Sequence, residues 1–192
     1  MPVQKIEKEE LLHRCWEVFN RHGYHNTSIS MLAEATGLGK SGLMHHHESK
    51  ESLMRAVIDF AKVSIRDMVL SVANEDLPPE QRLEKLLRRQ NRLAKIDRRG
   101  CFFANTALET GSDNLFNSDI EEIWEEWKAA VSSILSSIMP PDEAAATAYR
   151  LLLEHEGAII MYKISGDTEH LEKFVARAVG LFGKTMRKAS KS

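Results

Sequence analysis

An all-α fold is predicted, with a three-helix, helix-turn-helix unit at the N-terminus and a larger helical part behind it. Three observations predict it. Apolar residues recur at helical spacing along the 192-residue chain, and no stretch alternates as a strand would. Serine, threonine, glycine and proline fall where helices of ordinary length need starts and stops. Between Thr27 and Leu53 two short amphipathic segments flank a glycine turn, and a further helix start, Ser49-Lys50-Glu51, follows at once.

Each element follows from its residues. The first helix is expected from about Lys5 to His22, with Leu11, Leu12, Cys15 and Phe19 on one face and Gly23 as its stop. Thr27 or Ser28 caps a second helix that ends before Gly37. The third is short, about Lys40 to His46. Ser49 caps a fourth that runs to about Ala73 with no breaker inside it. Pro78-Pro79 opens a fifth, ending near Arg99. A short sixth follows Gly100. Ser118 and Glu121 form a capping box for a seventh, which reaches about Met139 before Pro140-Pro141 ends it. The eighth spans about Asp142 to Ser165, Gly166-Asp167 turns the chain, and the ninth spans about Thr168 to Lys188, leaving a frayed tail. The expected division is 1–50 for the helix-turn-helix unit and 51–192 for the rest. The fourth helix joins them rigidly.

Composition narrows the function classes. Hydrophobic residues make up 43% and charged residues 28%, values of a globular protein with room for a core. No apolar run approaches the roughly 20 residues that cross a bilayer, and the start lacks the apolar centre of a signal peptide. The expected location is the cytoplasm, with no membrane partner. Cys15 and Cys101 lie far apart and suggest neither a disulfide framework nor a zinc site. The net charge of −2 excludes a uniformly basic protein but not a basic face. Six of the eight histidines fall within the first 47 residues and can add charge there. The run His45-His46-His47 does not read as a metal site, because adjacent helix positions diverge by about 100°. No catalytic pair is apparent, and no cofactor or metal is expected.

A helix that reads a DNA groove needs an apolar underside and short polar or basic residues on top. Ile29, Leu32, Ala33, Leu38 and Leu43 supply the underside. Lys40, Ser41, His45 and His46 are placed to point outward, and Gly42 permits close backbone approach. Thr27, Ser28 and Lys50 stand at helix starts, where hydroxyl, ammonium and free N–H groups suit phosphate. An ordinary helical hairpin with a solvated face fits the periodicity equally well.

The same segment resembles the DNA-binding domain of the TetR family of bacterial transcriptional regulators. Phe19, Gly23, Thr27, Ser28, Ile29, Leu32, Ala33, Gly37, Leu38, Leu43, His46, Ser49, Lys50, Glu51 and Leu53 stand where that family's pattern expects them. Gly39, Met44 and His47 depart from it, replacing a serine, a phosphate-contacting tyrosine and a packing phenylalanine. The resemblance implies a homodimeric repressor that binds palindromic double-stranded operator DNA and is released by a small-molecule effector. A relative that has lost DNA binding is the alternative that Met44 and His47 leave open.

The resemblance also implies that the C-terminal part binds the effector and dimerises. The stretch from Gly100 and Cys101 through Asn105 to Glu109, and Glu156-Gly157-Ala158, are similar to one subset of the family. The eighth helix is apolar around much of its circumference, and the ninth repeats apolar residues at helical spacing. Tyr149, Leu152, Ile160, Leu171, Phe174, Val175, Ala178 and Phe182 are the expected dimer contacts. Off that interface, Met68, Phe102, Phe103, Trp124, Trp127 and Tyr162 are candidate cavity walls, with Asn105, Glu109 or His155 as polar anchors. Cys101 follows Arg98-Arg99-Gly100 at a helix start, a setting that favours a thiolate; a redox or electrophile sensor acting through it is the second functional alternative.

Overall fold

The computed structural model describes residues 6–189, without the side chains of His46, Asp97 and 184–189. The last residues of the expected tail, 190–192, lie outside the described residues. Every regular element among the described residues is a helix: α1 (Lys8–His22), α2 (Ile29–Thr36), α3 (Lys40–His46), α4 (Lys50–Met68), α5 (Pro79–Lys95), α6 (Phe102–Thr110), α7 (Asn117–Leu135), α8 (Pro141–Ser165) and α9 (Glu169–Ala189). No described helix is long and apolar enough to cross a membrane.

The chain forms two compact units that do not follow sequence order. One gathers Met1–Ser64 with Phe102–Glu121; the other gathers Ile65–Cys101 with Glu122–Ser192. The boundary therefore falls inside α4, and the helix-turn-helix segment shares its unit with α6 and the first turn of α7.

In the first unit, α1 packs on α2 and α2 on α3. The core is the apolar stripe of α1 (Leu11, Leu12, Cys15, Phe19) closed by Leu32, Leu43, Leu53, Met54, Val57 and Ile58, all buried. Each such large side chain contributes about 1.5–3 kcal/mol. Burial pushes the Cys15 thiol up to about 12, so it is inert packing. Ser49 and Ser52 cap α4 reciprocally: the Ser52 N–H donates to Ser49 Oγ at 3.0 Å, and the Ser49 N–H to Ser52 Oγ at 3.1 Å. Arg55 ties α4 to the start of α7, with Asp119 at 2.6 Å and the Leu115 carbonyl at 2.5 Å.

In the second unit, α9 packs on both α8 and α5. The buried face of α5 is Leu83, Leu86, Leu87, Asn91 and Ala94. Leu171, Phe174, Val175, Ala178 and Phe182 of α9 are all buried, as are Leu151, Leu152, Ala158 and Ile159 of α8. Arg66 joins α4 to α7 here through Glu126 at 2.6 Å and Glu122 at 3.0 Å.

Three helix ends differ from expectation. α4 stops at Met68, because Val69 and the 3-10 turn Leu70–Asn74 bend away to bury Val69, Leu70, Val72 and Ala73. α5 stops at Lys95, where a 3-10 turn leads to Arg98 at positive φ. α7 ends at Leu135: the Ser136 and Ser137 hydroxyls donate back to the Ser132 and Ile134 carbonyls. α7 also begins at Asn117, so Ser118 lies inside the helix and is not its cap.

Candidate DNA-reading head and C-terminal site

The turn between α2 and α3 is built from local chemistry. Ser28 sits in extended backbone and accepts the Met31 N–H at 3.3 Å, capping α2. At the other end the Thr36 hydroxyl donates to the Leu32 carbonyl at 2.9 Å. Gly37 then takes φ 71°, ψ 10°, a left-handed conformation that glycine adopts without strain, and redirects the chain into α3. Among the described side chains of α3, Leu43 is the buried anchor, at 0% exposed. Lys40, Ser41 and His45 are exposed, and Gly42 and Met44 are half-buried. A Cβ at Gly42 would meet only Leu38 Cβ at 3.9 Å, so the head's own packing does not demand glycine there. The side chain of His46 lies outside the described residues.

Two expected phosphate ligands are committed elsewhere. Thr27 is 2% exposed, and its hydroxyl donates to the Gly23 carbonyl at 2.6 Å. The Lys50 ammonium donates to the carbonyls of Tyr24 at 2.9 Å and Thr27 at 3.1 Å, and lies 4.4 Å from the Tyr24 ring centre. These side chains hold the loop after α1; they are not outward contacts.

Glu109 is also reassigned. It was an expected effector anchor, but its carboxylate accepts the N–H groups of Tyr24 at 2.8 Å and His25 at 2.7 Å. Phe102 and Phe103 are buried in the same unit, Phe102 against Trp16 at 6.1 Å. Asn105 is half-buried there too. Met68, Trp124, Trp127, His155 and Tyr162 belong to the second unit, Met68 half-exposed and Trp124 half-buried.

Trp127 and His155 do come together. Their rings are 6.4 Å apart and nearly parallel, at 8°, and Phe174 lies 5.1 Å from the imidazole. His155 Nε2 and Asn91 Oδ1 are 2.9 Å apart. Gln90 accepts the Trp127 indole N–H. Burial pushes His155 down to about 4, so it is neutral at pH 7. Asn91 Nδ2 and His155 Nδ1 are buried without a hydrogen-bond partner. Asn91 and Gln90 were not anticipated. The signal was present: Asn91 is a polar residue at a buried register of α5, four positions after Leu87. Glu156, anticipated only as part of a short motif, is pushed up to about 7 by burial. Its hydrogen-bond partner is Cys101, half-buried immediately before α6. The Arg98 guanidinium is directed at Gly166. A separate open groove of about 380 Å³ runs along α5 between Leu77 and Arg92, and contains none of the anticipated side chains.

The dimer contacts expected on α9, with Leu152 of α8, are corrected. Phe174 is 0% exposed, and Leu152, Leu171, Val175, Ala178 and Phe182 are buried with it, so they form the protomer's own core. Tyr149 and Ile160 are exposed. With Leu153 and Ile164 they form an apolar stripe on the side of α8 opposite its buried face, and Ile164 is 73% exposed.

Comparison with known proteins matches this architecture. Residues 11–57 match the family model of bacterial regulatory proteins of the tetR family. Residues 81–177, about half of the chain, match that of the LmrA/YxaF-like transcriptional regulator C-terminal domain. The chain belongs to the TetR family of transcriptional regulators. Among curated relatives, an uncharacterized HTH-type transcriptional regulator in the lacX 3' region of Lactococcus lactis is 22% identical over 171 residues, covering 86% of this chain and 87% of that protein. The regulator RutR of Escherichia coli K12 is 22% identical over 187 residues, covering 94% and 81%. A TetR regulator from Legionella pneumophila shares the fold at TM-score 0.82 and 19% identity, covering 93% of this chain and 97% of that one. One from Chloroflexus aurantiacus does so at TM-score 0.78 and 25% identity, covering 89% and 91%.

Proposed function

We propose that this TetR-family regulator is a homodimeric repressor that reads a palindromic operator with α3 of each protomer and releases it when a small molecule binds the C-terminal unit. The observation that carries the reading is α3 itself. A seven-residue helix anchored by the buried Leu43 presents Lys40, Ser41 and His45 to solvent, with no long side chain at Gly39 or Gly42 to hold a partner away. Short polar and basic groups on a protruding helix suit base edges and phosphates.

Dimerisation is supported by α8. Tyr149, Leu153, Ile160 and Ile164 recur at helical spacing on the face its own unit leaves uncovered, and a second copy would bury them. Open space around Gly157 on α8 and Gly180 on α9 suits close helix approach. Effector binding is supported by Asn91 and His155. Unpartnered polar atoms in a core cost about 1–3 kcal/mol each, and a polar ligand would satisfy them. The effector must bind the DNA-free form more tightly, because equal affinity for both forms shifts nothing. The test is selection of bound sites from random duplex DNA. An enriched inverted repeat supports the reading; an unchanged pool refutes it.

A further inference from the structure

The loop Gly23–Thr27 aims the reading head, since it joins α1 to the cap of α2. It is gripped on both polarities of its backbone. The two carboxylate oxygens of Glu109 each take one amide, from Tyr24 and from His25. The ammonium of Lys50 takes two carbonyls, those of Tyr24 and Thr27. The Thr27 hydroxyl closes the loop onto Gly23 at 2.6 Å. The Tyr24 ring is buried between Phe19 at 6.2 Å and Phe116 at 5.1 Å. Gly23 has φ 77°, and a Cβ there would stand 2.5 Å from Glu109 Oε2. The loop is thus shaped around the carboxylate. Glu109 belongs to α6, which is no part of the helix-turn-helix.

We propose that Glu109 is a positioning residue for DNA reading: its carboxylate, delivered by α6, fixes the loop that orients α2 and α3. The inference rests on the DNA-reading function proposed above. It makes a prediction of unusual sign. Removing an acidic group from a DNA-binding unit should strengthen binding if only charge matters. If Glu109 orients the head, its removal weakens specific binding instead. Charge-assisted hydrogen bonds to backbone amides are among the stronger ones, so loosening both has a sizeable effect.

The experiment compares the full-length parent, Glu109→Gln and Glu109→Ala. The probes are a duplex selected by the parent and an unrelated duplex of equal length, titrated from 50 to 200 mM salt. Glu109→Gln keeps the volume and one acceptor, so it carries the test if the alanine variant does not fold. The expected result is a loss on the order of tenfold on the selected duplex, no loss on the unrelated duplex, and an unchanged salt slope, because no phosphate contact is removed. Amide exchange at Tyr24 and His25 in the free protein is expected to accelerate. General destabilisation alone would not lower the ratio of specific to non-specific affinity. A folded Glu109→Gln that binds the selected duplex as tightly as the parent, or more tightly, overturns the proposal, as does unchanged exchange at both amides. A parent that binds no duplex overturns the DNA-reading function itself, and this proposal with it.

Discussion

Glu156→Gln should stabilise the protein above neutral pH, and the gain should vanish in acid. Burial raises the Glu156 carboxyl from its ordinary 4.5 to about 7, and Oε1 has no hydrogen-bond partner. Between those values the folded chain holds a proton that the unfolded chain has released. Stability therefore falls as pH rises from 4.5 to 7, and the full cost is present above 7. A shift of this size corresponds to about 3 kcal/mol, reduced to roughly 2–3 kcal/mol by the residue's partial exposure. His155 acts in the opposite sense. Its folded value of about 4 lies below the ordinary 6.5, so the unfolded chain binds the extra proton and stability rises with pH across that window. In the parent the two slopes largely cancel between pH 4.5 and 6.5. The glutamine variant removes one of them and keeps an acceptor for the Cys101 thiol. Urea unfolding of both proteins at pH 4.5 and pH 8, at one protein concentration, gives the difference directly, and every other titrating group drops out of it. The expected stability difference grows by about 2–3 kcal/mol in the variant's favour between the two pH values. A difference that does not change with pH would refute the raised carboxyl.

Two further outcomes follow from side chains whose surroundings are now known. Ile160→Glu, on the exposed stripe of α8, should halve the mass seen by light scattering while leaving the circular dichroism spectrum unchanged; a retained dimer would remove that face from the interface. Lys50→Met should lower thermal stability, because two carbonyls lose their donor. It should leave the salt slope of DNA binding unchanged, and a slope reduced by about one would restore the phosphate contact first expected of it.

Much of the fold was legible because its signals are local. α3 begins and ends at the expected residues, framed by Gly39 and by the change to extended backbone at His47. Ser28, Gly37 and Gly166 act where helix-end chemistry puts them. The ends of α4 and α5 were not legible. No breaker marks Met68 or Lys95, and the chain turns there to bury Val69 through Ala73 and to seat Arg98 at positive φ. The candidate site divides in the same way. The apolar underside of α3 is a matter of spacing, so Leu43 and the outward positions around it could be read from the sequence. The roles of Lys50 and Glu109 could not, because their partners are backbone groups 23 to 85 residues away. The spacing of Phe174 and its neighbours on α9 does not distinguish an interface from a core, because one apolar face looks alike whether its own protomer or a partner covers it. α8 was the better guide, since an apolar helix with two such faces can satisfy only one of them inside its own unit.

The central claim is that α3 reads base sequence. The most direct measurement selects sites from random duplex DNA with the parent, Lys40→Ala and His45→Ala side by side. The parent should enrich two inverted half-sites with centres about one helical turn apart, or a multiple of it. Each variant should enrich the same spacing with altered base preference inside the half-sites. Identical preferences in all three proteins, or no enrichment by the parent, would contradict the claim.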